Sequence, residues 1–306
     1  MTTHLTGLIA APHTPMHSDG SLNLAMIDKQ AALLIDDGAT GAFLCGTTGE
    51  GPSLTIRERM QVAERWAAVH QNRLALIVHV GHNSLAEAQA LATHAQQQRA
   101  DAIAAFSPSF FKPKQVEDLV DYCAAVAAAA PGVPFYYYHI PAMTGVRLSM
   151  AAFLHKGRDK IPTLRGLKFS DRNLMEYQQC LRLNDGAFNI LFGVDEMLLG
   201  ALAVGGEGAV GSTYNYATAN YVKMIEAYAA GDTHTAQTCA RHAVDLVEVL
   251  HDVGELAAGK ALMALRGVDC GPVRLPLHTL TEAERTRLFN RARTLAIFEP
   301  GARIQP

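Results

Sequence analysis

The stretch LALIVHVGHNSLAEAQALATHAQQQRADAIAAF, residues 74–106, carries the pattern from which the whole chain is built. It opens on a near-continuous apolar run, Leu74 to Val80. Ser84-Leu85-Ala86-Glu87 follows with capping-box spacing, in which a serine hydroxyl and a glutamate carboxylate satisfy free N–H groups at a helix start. An alanine-rich helical stretch comes next, and a second apolar run, Ala102 to Phe106, closes the unit. Apolar runs without polar alternation fit parallel strands buried on both faces.

Working outward, the alternation recurs. Further apolar runs are Gly7 to Ala11, Gly41 to Cys45, Pro134 to Tyr138, Leu164 to Lys168, Asn189 to Phe192 and Ala209 to Ser212. With the two above they predict eight strands. Ser53 is placed to cap a helix that begins around Leu54-Thr55-Ile56-Arg57-Glu58-Arg59. Strand–helix alternation repeated eight times predicts an α/β fold, a (β/α)8 TIM barrel, in preference to an open doubly wound sheet. From about Ala219 the pattern turns wholly helical, through Tyr221 to Ala230, Thr235 to Val253 and Thr281 to Phe298. The expected organisation is a barrel over 1–218 that carries the active site, and a C-terminal helical extension over 219–306 packed on it. No proline- or glycine-rich linker separates them.

Composition narrows the function classes. The chain has 306 residues, 49% of them hydrophobic, which is ample for a large core in a single barrel. Charged residues make up 18%, below the usual share of about 25%, so a compact chain is expected and not a disordered one. A formal net charge of −3 gives no electrostatic reason for a nucleic acid or an anionic membrane as partner. Cys45, Cys123, Cys180, Cys239 and Cys270 are scattered, odd in number and without a C-x-x-C pair, which argues against a disulfide framework or a cysteine zinc site. Reduced thiols in the cytoplasm fit better. No signal peptide is expected from the N-terminal residues. The alanine-rich stretch Cys123 to Ala130 is too short to span a bilayer, and Pro131 and Gly132 stop it.

In a barrel the active site gathers at the C-terminal ends of the strands. Lys168 closes an apolar strand there, and period-two alternation puts it on the same face as Gly166, the barrel axis. A lysine desolvated at such a place loses its preference for the charged form, and the neutral amine attacks ketones. Taken singly, a solvated lysine at a strand end is the plainer account. Tyr138 ends the aromatic run from Phe135 and is placed to shuttle a proton, whereas packing explains Tyr137 and Tyr136. Gly46-Thr47-Thr48-Gly49 offers N–H groups and two hydroxyls in a tight turn, which suits a carboxylate or phosphate; the alternative is a plain strand–helix loop. The adjoining Glu50 reads as a brace for that loop. Asp195 and Glu196 suit hydrogen bonding to sugar hydroxyls, or equally a helix N-terminus with favourable dipole charges.

Other signals are set aside. Gly206-Glu207-Gly208-Ala209-Val210-Gly211 matches G-x-G-x-x-G, but its glycines lead into a strand instead of opening a helix. His79 and His82 have no further ligand at metal spacing, so no metal is expected. The nucleophile-elbow, Walker A and zinc-protease motifs do not occur.

Five ordered motifs now point one way. They are Gly-Thr-Thr-Gly-Glu at 46–50, Tyr-His-Ile-Pro-Ala-Met-Thr-Gly at 138–145, Gly-Leu-Lys-Phe-Ser at 166–170, Gly-Val-Asp-Glu at 193–196 and Gly-Ser-Thr-Tyr-Asn at 211–215. With them the chain resembles the dihydrodipicolinate synthase / N-acetylneuraminate lyase family of class I aldolases, from about Leu5 to Phe298. The resemblance implies reversible cleavage of N-acetylneuraminate to N-acetylmannosamine and pyruvate. Lys168 then forms a Schiff base with the C2 ketone, and Tyr138 moves protons. Thr47 and Thr48 hold the carboxylate. Ser170, Asp195, Glu196 and Ser212 face the substrate, helped by backbone groups at Gly193 and Gly211. No cofactor is implied, and a homotetramer is expected. Met143 stands where dihydrodipicolinate synthases carry an arginine for a second carboxylate, which argues against that substrate. Phe110 and Phe111 stand where many relatives have a tyrosine pair and cannot relay a proton, which leaves Tyr138 dependent on the substrate's carboxylate or on water. The alternatives are an aldolase for another 2-keto-3-deoxy sugar acid, with the same imine machinery, and a non-catalytic sugar-acid-binding protein, which has little need of Lys168 and Tyr138 together.

Overall fold

All eight apolar runs are strands in the computed structural model, which describes residues 4–298. They are β1 (Gly7–Ala10), β2 (Gly41–Leu44), β3 (Ala75–His79), β4 (Ala102–Ala105), β5 (Phe135–His139), β6 (Leu164–Phe169), β7 (Asn189–Phe192) and β8 (Gly208–Gly211). They pair in parallel in sequence order, and β8 returns to β1 with Gly7 opposite Gly208 and Ala10 opposite Gly211, closing a barrel. Full closure removes sheet edges, and a helix outside each strand covers the outer face.

Side-chain alternation divides the strands into two apolar sets. Ile9, Phe43, Ile77, Ala104, Tyr136, Tyr138, Leu191 and Val210 pack together along the barrel axis. Their neighbours Leu8, Leu44, Val78, Phe135, Tyr137, Leu167, Phe169 and Phe192 join the larger cluster beneath the helices. Because Leu167 and Phe169 point outward, Gly166 and Lys168 point inward. At Gly166 a Cβ would lie 1.7 Å from the Asn189 carbonyl oxygen, so only glycine lets β7 approach β6 there.

Local helix chemistry departs from the sequence reading in three places. Ser53 belongs to a short 3-10 turn, Gly51–Ser53, and Thr55 caps the helix Ile56–Val69 instead. Thr55 has the glutamate three residues on that a reciprocal cap needs: Glu58 N–H donates to Thr55 Oγ1 (3.2 Å) and Thr55 N–H to Glu58 Oε2 (2.9 Å). At the helix Leu85–Gln97 the Ser84 hydroxyl accepts from Glu87 N–H (3.4 Å), but the Ser84 N–H goes to His82 Nδ1 (3.0 Å). Beyond the barrel the helices are Tyr214–Ala229, Thr233–His251, Glu255–Leu265 and Glu282–Ala292. The third escaped the sequence reading because it is apolar nearly all round, holds Gly259 in its middle and starts from Gly254 without a capping side chain. The first runs across position 218, where the sequence reading divides barrel from extension, with a local distortion at Ala217. One apolar cluster joins barrel residues to Tyr221, Leu246, Leu262 and Ile297 of these last elements. Among the described residues no helix is long and apolar enough to cross a membrane.

Candidate active site

The turn after β2 is held from several sides. Cys45 (φ 54°) and Glu50 (φ 53°) bracket it in the left-handed region, which costs a non-glycine residue about 1 kcal/mol or more unless the surroundings over-determine it. They do. Gly51 packs so tightly that a Cβ would fall 1.9 Å from the Cys45 carbonyl oxygen. Thr14 Oγ1 donates to Gly49 O (2.6 Å), and Arg274 N–H donates to Glu50 Oε2 (2.8 Å). The Lys260 ammonium lies 2.6 Å from Glu50 Oε1 and donates to Pro272 O (2.7 Å). Burial pushes Lys260 down from its ordinary value, and the Glu50 charge pulls it back up. Glu50 is thus a brace, and its partners come from the C-terminal segment some 200 residues away.

On the barrel axis, Tyr138 and Lys168 stand opposite each other in the β5–β6 register. Lys168 Nζ lies 4.2 Å from the ring centroids of both Phe43 and Tyr138, with the residue only 4% exposed. Among the described residues no ion pair involves Lys168, in contrast to Lys260. The Tyr138 hydroxyl is 3.2 Å from Thr47 Oγ1, which links the floor to the β2 turn. Thr48 is buried beside it. His79 also faces the axis, edge-on to Tyr138 with ring centroids 5.8 Å apart. Its Nδ1–H faces Cys45 O (3.1 Å), its Nε2 accepts from Phe106 N–H (3.3 Å), and Arg59 donates to its carbonyl (2.6 Å). Burial first, then the charges of Arg59 and Lys168, drive the imidazole well below its usual range and keep it neutral. Among the described residues no three metal-ligating side chains come together.

Above this floor a cavity of about 600 Å³ opens at the barrel mouth, walled by Ser170, Gly193, Asp195, Glu196 and Ser212. Lys168, Tyr138, Thr47 and Thr48 do not line it; along their strands Lys168 and Tyr138 come two residues before Ser170 and Ile140 of the wall. Asp195 is buried, and its Oδ2 accepts from Thr213 N–H (2.8 Å) and Thr213 Oγ1 (2.7 Å). Burial pushes its carboxyl up to about 6, against the two Thr213 bonds that lower it. The two glycines have a steric role. A Cβ at Gly211 would fall 2.2 Å from Asp195 Oδ1, and one at Gly193 would fall 2.1 Å from Ser170 Oγ. Glu196 is joined by Arg172 Nη2 at 3.1 Å.

The sequence reading named ten residues: Lys168, Tyr138, Thr47, Thr48, Ser170, Gly193, Asp195, Glu196, Gly211 and Ser212. Nine stand on the floor or in the wall, and Gly211 backs Asp195. It missed Thr213, which is legible as the neighbour of Ser212, and Arg172, two positions past Ser170 in the loop after β6. It also missed His251 and Glu255 in the wall, which come from the C-terminal helices and carry no local signal. Phe110 and Phe111 lie outside the cavity, exposed and packed edge to face with ring centroids 5.0 Å apart. An unpaired buried amine, a phenol and a hydroxyl-bearing anion turn below a polar mouth can capture a carbonyl compound that carries an acid at one end and hydroxyls at the other.

Comparison with known proteins agrees with the barrel fold. The chain is similar to N-acetylneuraminate lyase of Sus scrofa, 46% identical over 280 residues covering 89% of this chain and 87% of the relative. It superposes on the structure of N-acetylneuraminate lyase (sialic acid aldolase) from Aliivibrio salmonicida with a TM-score of 0.95 at 46% identity, over 97% of this chain and 98% of the other. A Ruminococcus gnavus sialic acid aldolase, described as a catalytic lysine mutant, superposes with a TM-score of 0.87 at 25% identity, over 95% and 97% of the two chains. The pattern of the dihydrodipicolinate synthetase family matches residues 4–294, and the chain belongs to that family.

Proposed function

We propose that the protein is a class I aldolase that reversibly cleaves N-acetylneuraminate to N-acetylmannosamine and pyruvate through a Schiff base on Lys168. The observation that carries this reading is the buried Lys168 amine between the Phe43 and Tyr138 rings, with no carboxylate partner among the described residues. A relative described by its catalytic lysine supports it.

The steps follow from the positions. Lys168 Nζ attacks the C2 ketone and water leaves, giving a protonated imine. Thr47 and Thr48, with the turn's N–H groups, hold the neighbouring carboxylate. Tyr138 takes up the C4 hydroxyl proton as it passes its own phenolic proton to the substrate's carboxylate or to water, the C3–C4 bond breaks, and its electron pair enters the imine as an enamine. N-acetylmannosamine departs as the aldehyde. Tyr138 returns the proton to C3, and hydrolysis frees pyruvate and Lys168. The imine is the electron sink, so the reaction calls on no other cofactor. Ser170, Asp195, Glu196 and Ser212 bind the polyol end, while Gly193 and Gly211 leave room for Ser170 and Asp195. Five free, buried cysteines suit the cytoplasm, and the exposed Phe110–Phe111 pair suits coverage by a neighbouring subunit in a homotetramer.

The substrate assignment is tested by steady-state turnover. N-acetylneuraminate should be cleaved with a higher kcat/KM than 2-keto-3-deoxygluconate, and the reverse order would reassign the enzyme to another sugar acid. The titration of Asp195 gives a second expectation. Ionised Asp195 is the better acceptor for sugar hydroxyls, so kcat/KM for N-acetylneuraminate should rise with pH through about 6. Asp195→Asn should lower kcat/KM and remove that acid limb; an unchanged limb in the variant assigns it to another group. The stability linkage has the opposite sign. The folded value lies above the ordinary 3.8, so the cost of ionising Asp195 is absent below pH 3.8 and complete above about 6.

A further inference from the structure

The loop after β6 carries a cation that the scheme above does not use. Arg172 lies in the loop just past the end of β6, and its Nη2 donates to Glu196 Oε1 at 3.1 Å. The bond ties the loop after β6 to the loop after β7 in the wall of the cavity. Both ends are firmly based. Asn173 N–H donates to Asp171 Oδ1 (2.9 Å), and the Asn173 side chain caps the helix Leu174–Arg182 through Glu176 N–H (3.1 Å). On the other side, Glu196 follows Asp195, which Thr213 holds.

Stability is a poor account of this pair. The Arg172 side chain is 70% exposed, and ion pairs of that kind contribute little. Orientation is a better one. Glu196 is only 19% exposed, and among the described residues its second oxygen, Oε2, has no protein donor. A guanidinium is a planar, geometrically fixed donor. With Oε1 engaged, the carboxylate is held with Oε2 free to accept, and binding a sugar hydroxyl need not first immobilise the side chain.

The geometry points to Arg172 as a positioning residue that sets affinity for the polyol end of the substrate through Glu196. This rests on the aldolase reading above. In Arg172→Ala, KM for N-acetylneuraminate should rise about three- to tenfold with kcat within about twofold, as expected for lost uniform binding. In the condensation direction KM for N-acetylmannosamine should rise similarly and KM for pyruvate should hold, since pyruvate is gripped at the β2 turn. Arg172→Lys should fall between, and Arg172→Ala added to Glu196→Gln should cost little more than Glu196→Gln alone. An unchanged KM, an equal rise in the pyruvate KM, or additive effects in the double variant would each overturn the role. Melting temperatures of the variants separate binding losses from unfolding. Wild-type protein that releases no pyruvate from N-acetylneuraminate would remove the aldolase reading itself, a result distinct from any of these.

Discussion

Lys168→Ala should lose pyruvate release from N-acetylneuraminate by about four orders of magnitude or more, as removal of a covalent nucleophile does elsewhere. Cleavage of C3–C4 leaves an electron pair on C3, and without an imine at C2 nothing in the site receives it. The fold should survive. The side chain lies between Phe43 and Tyr138 and makes no ion pair among the described residues, so its truncation strands no buried partner. Borohydride added with pyruvate should fix the adduct on the peptide that contains Lys168. Lys260 is the internal control. It is as deeply buried, but Glu50 at 2.6 Å and Pro272 O at 2.7 Å hold its ammonium as a structural cation. An adduct on Lys260, or undiminished turnover in Lys168→Ala, would sink the mechanism.

Tyr138→Phe should lower kcat by about two to four orders of magnitude, the usual worth of a positioned acid–base group, and leave KM little changed. The substitution keeps the ring that packs on Phe43 and His79 and removes only the hydroxyl 3.2 Å from Thr47 Oγ1. Imine formation needs the amine and not the phenol, so borohydride trapping with pyruvate should persist in the variant. Exchange of the pyruvate methyl protons with solvent should slow alongside turnover. A variant with normal kcat would transfer the proton to water or to the substrate carboxylate. A variant that no longer traps pyruvate would make Tyr138 part of the amine's own environment.

The barrel and the inward direction of Lys168 were readable because both rest on short-range regularities. Strand alternation has a period of two residues, so in the apolar strand Leu164–Phe169 outward Leu167 and Phe169 commit Lys168 to the axis. The cap at Thr55 was a local feature too, and weighing Glu58 against Ser53 would have found it. The helix Glu255–Leu265 offered less, since a segment buried nearly all round has no amphipathic period to read.

Residue order alone thus specified eight strands and their closure into a barrel, and it singled out Lys168, Tyr138, Thr47 and Thr48 as candidates on the barrel's C-terminal side. It could not specify the groups that brace them. Lys260 and Arg274 reach Glu50 across more than 200 residues, Thr213 raises two donors to Asp195, and Arg172 meets Glu196 across a gap between loops. Nor could it show that Gly193 and Gly211 leave room for Ser170 and Asp195. Periodicity records which way a side chain points from its own backbone. Which distant atom it then meets depends on how whole elements pack, and that exists only once the chain has closed on itself.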